Sequence, residues 1–149
     1  MPRVSLNHVG LCVRDLARSR RFYEELLEFR YWWTYSPADD ALGPGVGIKP
    51  PIGLTSSFFF KDGTTLELLQ FGAAGAQGET RAAINVPGLT YLSLYCEDLL
   101  AVMGRVPEFG GEVLHDTYNG QSVLVRDPDG QLLMLSATDW RSALPSLPE

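Results

Sequence analysis

His8 and Glu67 are the side chains of this chain best suited to moving a proton, and Tyr91 is a phenol suited to the oxyanion that such a transfer creates. An imidazole or a carboxylate removes a proton from carbon or oxygen, and a tyrosine hydroxyl donates to the developing charge. A trio of this kind serves isomerisation, ring closure, opening of an epoxide or lactone, or elimination on a small molecule. Glu67 is expected as the base, His8 as its partner or second acid/base, and Tyr91 as the oxyanion donor. The same His8–Glu67 pair could equally be a mutually satisfied hydrogen bond beneath a binding cleft. His115 is the only other histidine. It falls on a strand expected at 112–117 and reads as a surface or hydrogen-bonded residue.

An internal repeat gives the reason to group residues so far apart in sequence. Leu6-Asn7-His8-Val9-Gly10-Leu11-Cys12-Val13-Arg14-Asp15-Leu16 matches Leu89-Thr90-Tyr91-Leu92-Ser93-Leu94-Tyr95-Cys96-Glu97-Asp98-Leu99. Lys61-Asp62-Gly63-Thr64-Thr65-Leu66-Glu67-Leu68 matches Pro128-Asp129-Gly130-Gln131-Leu132-Leu133-Met134-Leu135 in the same order. His8 and Tyr91 are therefore equivalent positions, as are Glu67 and Met134. The first copy carries roughly 16 extra residues, which falls to the Pro- and Gly-rich stretch 36–55, expected as a long loop. Its Gly43-x-Gly45-x-Gly47 lacks the strand-to-helix context of a phosphate loop.

Each copy reads as strand, helix and three strands. Asp15 caps a helix expected at 16–29, with Leu16, Phe22, Tyr23, Leu26 and Phe29 on one stripe. Asp98 caps a second helix that Pro107 shortens or kinks. Strands are expected at 30–35, 56–61, 64–70, 112–117, 121–126 and 131–136, with turns at Asp62-Gly63, Asn119-Gly120 and Asp129-Gly130. The fold class is α+β: two tandem βαβββ modules, about 4–72 and 86–137, forming one cleft-shaped mixed sheet in a single domain 1–138. A loosely held tail, 139–149, follows.

Strand alternation assigns faces. Val9, Leu11 and Val13 pack toward the helix, leaving His8, Gly10 and Cys12 on the other side. Leu92, Leu94 and Cys96 do the same in the second copy, leaving Tyr91, Ser93 and Tyr95. Tyr31, Trp33 and Tyr35 are expected on one face and Trp32 on the other, followed by Phe58, Phe59 and Phe60 on the next strand. Trp33, Phe59, Tyr95 and Met134 are the expected substrate-contacting residues, and so many rings favour a flat or apolar ligand.

Composition narrows the class further. The chain has 149 residues, 45% hydrophobic, with net charge −6, which suffices for a packed core and excludes wholesale disorder. Arg18, Arg20 and Arg21 form its only basic cluster, beside Glu24 and Glu25, so no nucleic-acid partner is expected. No apolar run is long enough to span a membrane, and the first residues lack the apolar block of a signal peptide. Cys12 and Cys96 are the only cysteines, lie in apolar strands, and read as two reduced core thiols. A cytoplasmic protein is expected.

These motifs resemble the vicinal oxygen chelate superfamily of glyoxalases, bleomycin-resistance proteins and extradiol dioxygenases. The resemblance is carried by 8–16 with Phe22-Tyr23 after it, Asp62-Gly63-x-x-Leu66-Glu67-Leu68, Gly88-Leu89-Thr90-Tyr91 and Arg126-Asp127-Pro128-Asp129-Gly130. It spans about residues 4–137 and implies paired βαβββ modules around a cleft, a small-molecule ligand and a homodimer. Metal-dependent members place a ligand on the first and last strand of each module. His8 and Glu67 fit that pattern, whereas Tyr91 and Met134 replace the other His and Glu. The resemblance thus implies an enzyme with a degraded metal site that works by acid–base chemistry on a ring-bearing or apolar substrate, without a cofactor. A non-catalytic, antibiotic-sequestering protein of the bleomycin-resistance type is the alternative. A third reading is a metal-dependent lyase, isomerase or dioxygenase in which His8 and Glu67 hold iron, manganese, nickel or zinc together with unusual ligands.

Overall fold

The computed structural model describes residues 2–80 and 83–145. The chain folds as two compact units, Met1–Gly78 and Glu79–Glu149. The first contains β1 (Val9–Cys12), α1 (Leu16–Arg21), β2 (Arg30–Tyr35), α2 (Asp39–Leu42), β3 (Leu54–Lys61) and β4 (Thr64–Phe71). The second contains β5 (Leu92–Tyr95), α3 (Leu99–Arg105), β6 (Glu112–Leu114), β7 (Ser122–Arg126), β8 (Leu132–Ser136) and α4 (Trp140–Ala143). Each unit forms its own four-stranded mixed sheet, ordered β1-β4-β3-β2 and β5-β8-β7-β6. The first strand runs parallel to the last and the other pairs are antiparallel. The α+β class and the repeated βαβββ modules are as the sequence predicts.

Local chemistry explains the element ends. The Asp15 carboxylate accepts from Arg18 N at 3.0 Å, and Asp98 accepts from Ala101 N at 2.9 Å, so both helices start where the caps place them. The first helix is shorter than 16–29. After Arg21 it widens into a π-turn, Phe22–Leu26, in which Leu27 N donates to Phe22 O. That wider turn buries Phe22, Tyr23, Leu26, Leu27 and Phe29 together, while Leu16 stays half-buried. α3 gives way to a 3₁₀ turn, Val106–Phe109, with Pro107 in its first positions.

The stretch 36–55 is not bare loop: it holds α2 and a 3₁₀ turn, Gly43–Val46, before β3 begins at Leu54. Asp39 clamps it by accepting from Ile52 N at 2.8 Å and Gly53 N at 3.0 Å. The strand expected at 112–117 stops at Leu114, and His115 opens a 3₁₀ turn in which Thr117 Oγ1 donates to Leu114 O. His115 is therefore an exposed turn residue. The tail from Asp139 carries α4, capped by Asp139 at Arg141 N, and residues 146–149, Pro148 among them, lie outside the described residues.

In each unit one sheet face packs on helix and the other stays open. Phe59, Leu66 and Leu68 are buried on the covered side of the first sheet, and Val123, Val125, Leu133 and Leu135 on that of the second. Cys96 is buried and forms no disulfide, but Cys12 is exposed, contrary to expectation, because it lies on the open face. Among the described residues no helix is long and apolar enough to cross a membrane.

Candidate active site

The open face of the first sheet brings His8 and Glu67 together. Gly10 is the register partner of Glu67 across the parallel β1–β4 pair, and His8 lies two residues back on the same side of the chain. His8 Nε2 lies 3.1 Å from Glu67 Oε2; the carboxylate side chain is 14% exposed and the imidazole 39%. The carboxylate is thus mostly shielded, and the imidazole reaches solvent. Gly10 has a local reason to be small: a Cβ there would meet Leu69 Cδ1 at 3.1 Å and Glu67 Oε2 at 3.6 Å.

Next to this pair stands an aromatic wall. The Asp62-Gly63 turn has positive φ at both residues, 49° and 79°, which sets Lys61 opposite Thr64 and Phe58 opposite Glu67. Phe58 meets the His8 ring edge-on at 5.6 Å and stacks flat on Trp33 at 5.0 Å. Trp33 continues to Tyr35 at 5.7 Å, and Trp32 touches both Trp33 and Phe58.

The alternation expected for β2 fails at one point. A bulge between Tyr31 and Trp33 pairs Tyr31 with Phe59 but Trp33 with Phe58, so the strand changes faces there. Tyr31 turns to the covered side, edge-on to Phe59 and beneath the Arg20 guanidinium of α1 at 4.2 Å. Trp33 and Tyr35 go to the open side, and Trp32 joins them against Phe58. Phe59, expected at the substrate, is instead a fully buried core residue. Phe58, opposite Glu67, stands on the open face in its stead.

The second sheet repeats the geometry with different chemistry. Ser93 is the register partner of Met134, as Gly10 is of Glu67, and Tyr91 lies two residues before Ser93. Tyr91 and Tyr95 are exposed on their unit's open face and Met134 is half-buried. His115 stands apart from these positions in its turn.

His8 and Glu67 supply one imidazole and one carboxylate, whereas catalytic zinc and open iron sites rest on three protein ligands. Among the described residues no group of three or more His, Cys, Asp and Glu side chains is placed to hold a metal. The residues present do not fit a conventional site of this kind.

Comparison with known proteins gives a consistent picture of the fold. The profile of the Glyoxalase/Bleomycin resistance protein/Dioxygenase superfamily matches residues 5–135. A glyoxalase family protein from Bacillus cereus superposes with a TM-score of 0.77 at 17% identity, over 91% of this chain and 95% of that one. Glyoxalase I of Leishmania major, described as trypanothione-dependent, superposes at 0.65 with 19% identity, over 91% and 88%. The fosfomycin resistance protein FosX from Listeria monocytogenes, in a complex with Mn(II) and sulfate, superposes at 0.61 with 18% identity, over 97% and 100%. No curated protein matches the sequence.

Proposed function

Because the chain belongs to the Glyoxalase/Bleomycin resistance protein/Dioxygenase superfamily, we propose that it is a small-molecule enzyme with a degraded metal site, in which His8 and Glu67 do acid–base chemistry. The observation that carries this reading is the 3.1 Å His8–Glu67 contact on an open sheet face beside stacked aromatic rings. Glu67 takes a proton from carbon or oxygen of the substrate. His8 holds the carboxylate through one hydrogen bond and, being more exposed, passes the proton to solvent. Trp33 and Phe58 offer a flat surface for the substrate ring. Tyr91 is the candidate hydroxyl donor to an oxyanion, and Tyr95 and Met134 are candidate apolar contacts. Isomerisation, cyclisation, ring opening and elimination all use these parts. The working form is proposed to be a homodimer.

The test is a panel of aromatic enolisable ketones, epoxides and lactones, with products followed by mass spectrometry. The wild-type protein is expected to convert at least one compound. Glu67→Gln should lower that turnover by roughly 10²–10⁴-fold while ligand affinity stays within a few-fold. Undiminished turnover in Glu67→Gln would remove Glu67 from the role of base.

The Trp33–Phe58 stack, exposed at Trp33, favours a second reading, non-catalytic sequestration of an aromatic drug or intermediate. Under that reading Trp33→Ala loses affinity, Glu67→Gln keeps it, and no compound is turned over.

A further inference from the structure

We propose that a cavity beside the His8–Glu67 pair is an anion subsite in which Arg30 receives the carboxylate of a flat aromatic ligand lying on Trp32. The cavity, about 340 Å³, is lined by Arg30, Tyr31, Trp32, Phe60 and Thr65. Its size is that of the smaller ligand pockets of proteins. Register builds it: Arg30 pairs with Phe60 and Phe60 with Thr65, so the three form one row across β2, β3 and β4 on the open face. The adjacent row on those strands holds Trp33, Phe58 and Glu67. A ligand anchored in the cavity therefore extends along the sheet toward the base.

The charge pattern selects the ligand class. Arg30 makes no ion pair among the described residues, whereas Lys61 faces Glu28 at 3.9 Å, and Arg20 and Arg21 are each bridged to a glutamate four residues on. A lone guanidinium against a mainly aromatic wall suits one planar, singly charged group, which it can grip with two parallel hydrogen bonds. A doubly charged phosphate would need further cations, and the chain as a whole carries −6. Trp32 is 64% exposed and offers an open ring face for stacking. From Arg30 to Thr65 spans two strand spacings, roughly 10 Å, the length of two fused rings bearing a carboxylate. The Thr65 hydroxyl is a polar contact at the far end. Only the placing of the ligand's reactive end against Glu67 rests on the acid–base reading.

Isothermal titration with 2-naphthoate and its neutral isostere 2-naphthamide tests this directly. The carboxylate is expected to bind at least about tenfold more tightly. Arg30→Gln should abolish that preference by weakening naphthoate alone, Arg30→Lys should restore part of it, and Trp32→Ala should weaken both ligands alike. Equal affinities, no saturable naphthoate binding, or a preference that survives in Arg30→Gln would overturn the proposal. Arg30 is exposed, and an unchanged urea midpoint in each variant establishes that folding is intact. Glu67→Gln should leave the preference in place, so failure of the anion subsite and failure of the acid–base reading are read out separately.

Discussion

Trp33 lies flat against Phe58 across the β2–β3 pair, with ring centroids 5.0 Å apart and planes 10° from parallel. The bulge at Trp32 creates this contact by moving Trp33 to the face that carries His8 and Glu67. Stacking beyond simple burial contributes about 0.5–1.5 kcal/mol. Trp33→Ala is therefore expected to weaken binding of an aromatic compound that the protein converts by roughly three- to tenfold, read by titration calorimetry. Unchanged affinity would place aromatic ligands elsewhere.

Phe58 and Phe59 are adjacent in sequence but differ in what they support. Phe59 is fully buried between Tyr31 and the covered sheet face, so Phe59→Ala should cost about 3–5 kcal/mol in urea unfolding. Phe58→Ala should cost clearly less and lose aromatic-ligand affinity instead. The reverse order of stabilities would contradict the face assignment.

Turnover should separate the three polar side chains. His8→Ala should lower kcat less than Glu67→Gln does, since the carboxylate remains and loses only its partner at 3.1 Å. Tyr91→Phe should lower kcat by roughly 10²–10³-fold with little change in KM if its hydroxyl meets the oxyanion. Steady-state kinetics on a converted compound distinguish these outcomes, and an unaltered kcat in Tyr91→Phe would remove that donor.

The loop clamp has a defined pH dependence. Hydrogen bonds from Gly53 N and Ile52 N hold the Asp39 carboxyl below its ordinary value, and these bonds favour the ionised form. A carboxyl lowered in the folded state stabilises the loop above its unfolded pKa and loses that contribution as pH falls through the folded one. Residues 36–53 should become more susceptible to an acid-active protease only in that acid range. Asp39→Asn should show the susceptibility already at neutral pH.

Much of this arrangement was legible in the sequence because two residue-level rules operate without tertiary help. The Asp15 and Asp98 caps fix helix starts, and the repeat fixes the equivalence of His8 with Tyr91 and of Glu67 with Met134. The Asp62-Gly63 turn also fixes register: counting back three residues from Lys61 and on three from Thr64 sets Phe58 against Glu67. That count could have identified Phe58 in place of Phe59. The bulge at Trp32 could not be read in this way, because no glycine marks it and an extra residue leaves the aromatic run RYWWTY unchanged in composition. The π-turn after Arg21 was hidden likewise, since it changes which residues face the core without changing their types. Arg30 does not stand out in the sequence, because its having no ion pair among the described residues is a consequence of packing.

Metal stoichiometry tests the central claim most directly. The protein would be stripped with chelator, reloaded separately with manganese, iron(II), nickel and zinc, desalted and counted for metal per chain. A pair with only one imidazole and one carboxylate is expected to retain well below one ion per chain with every metal. About one tightly held ion per chain, lost in both His8→Ala and Glu67→Gln, would contradict the account and make this pair a metal site.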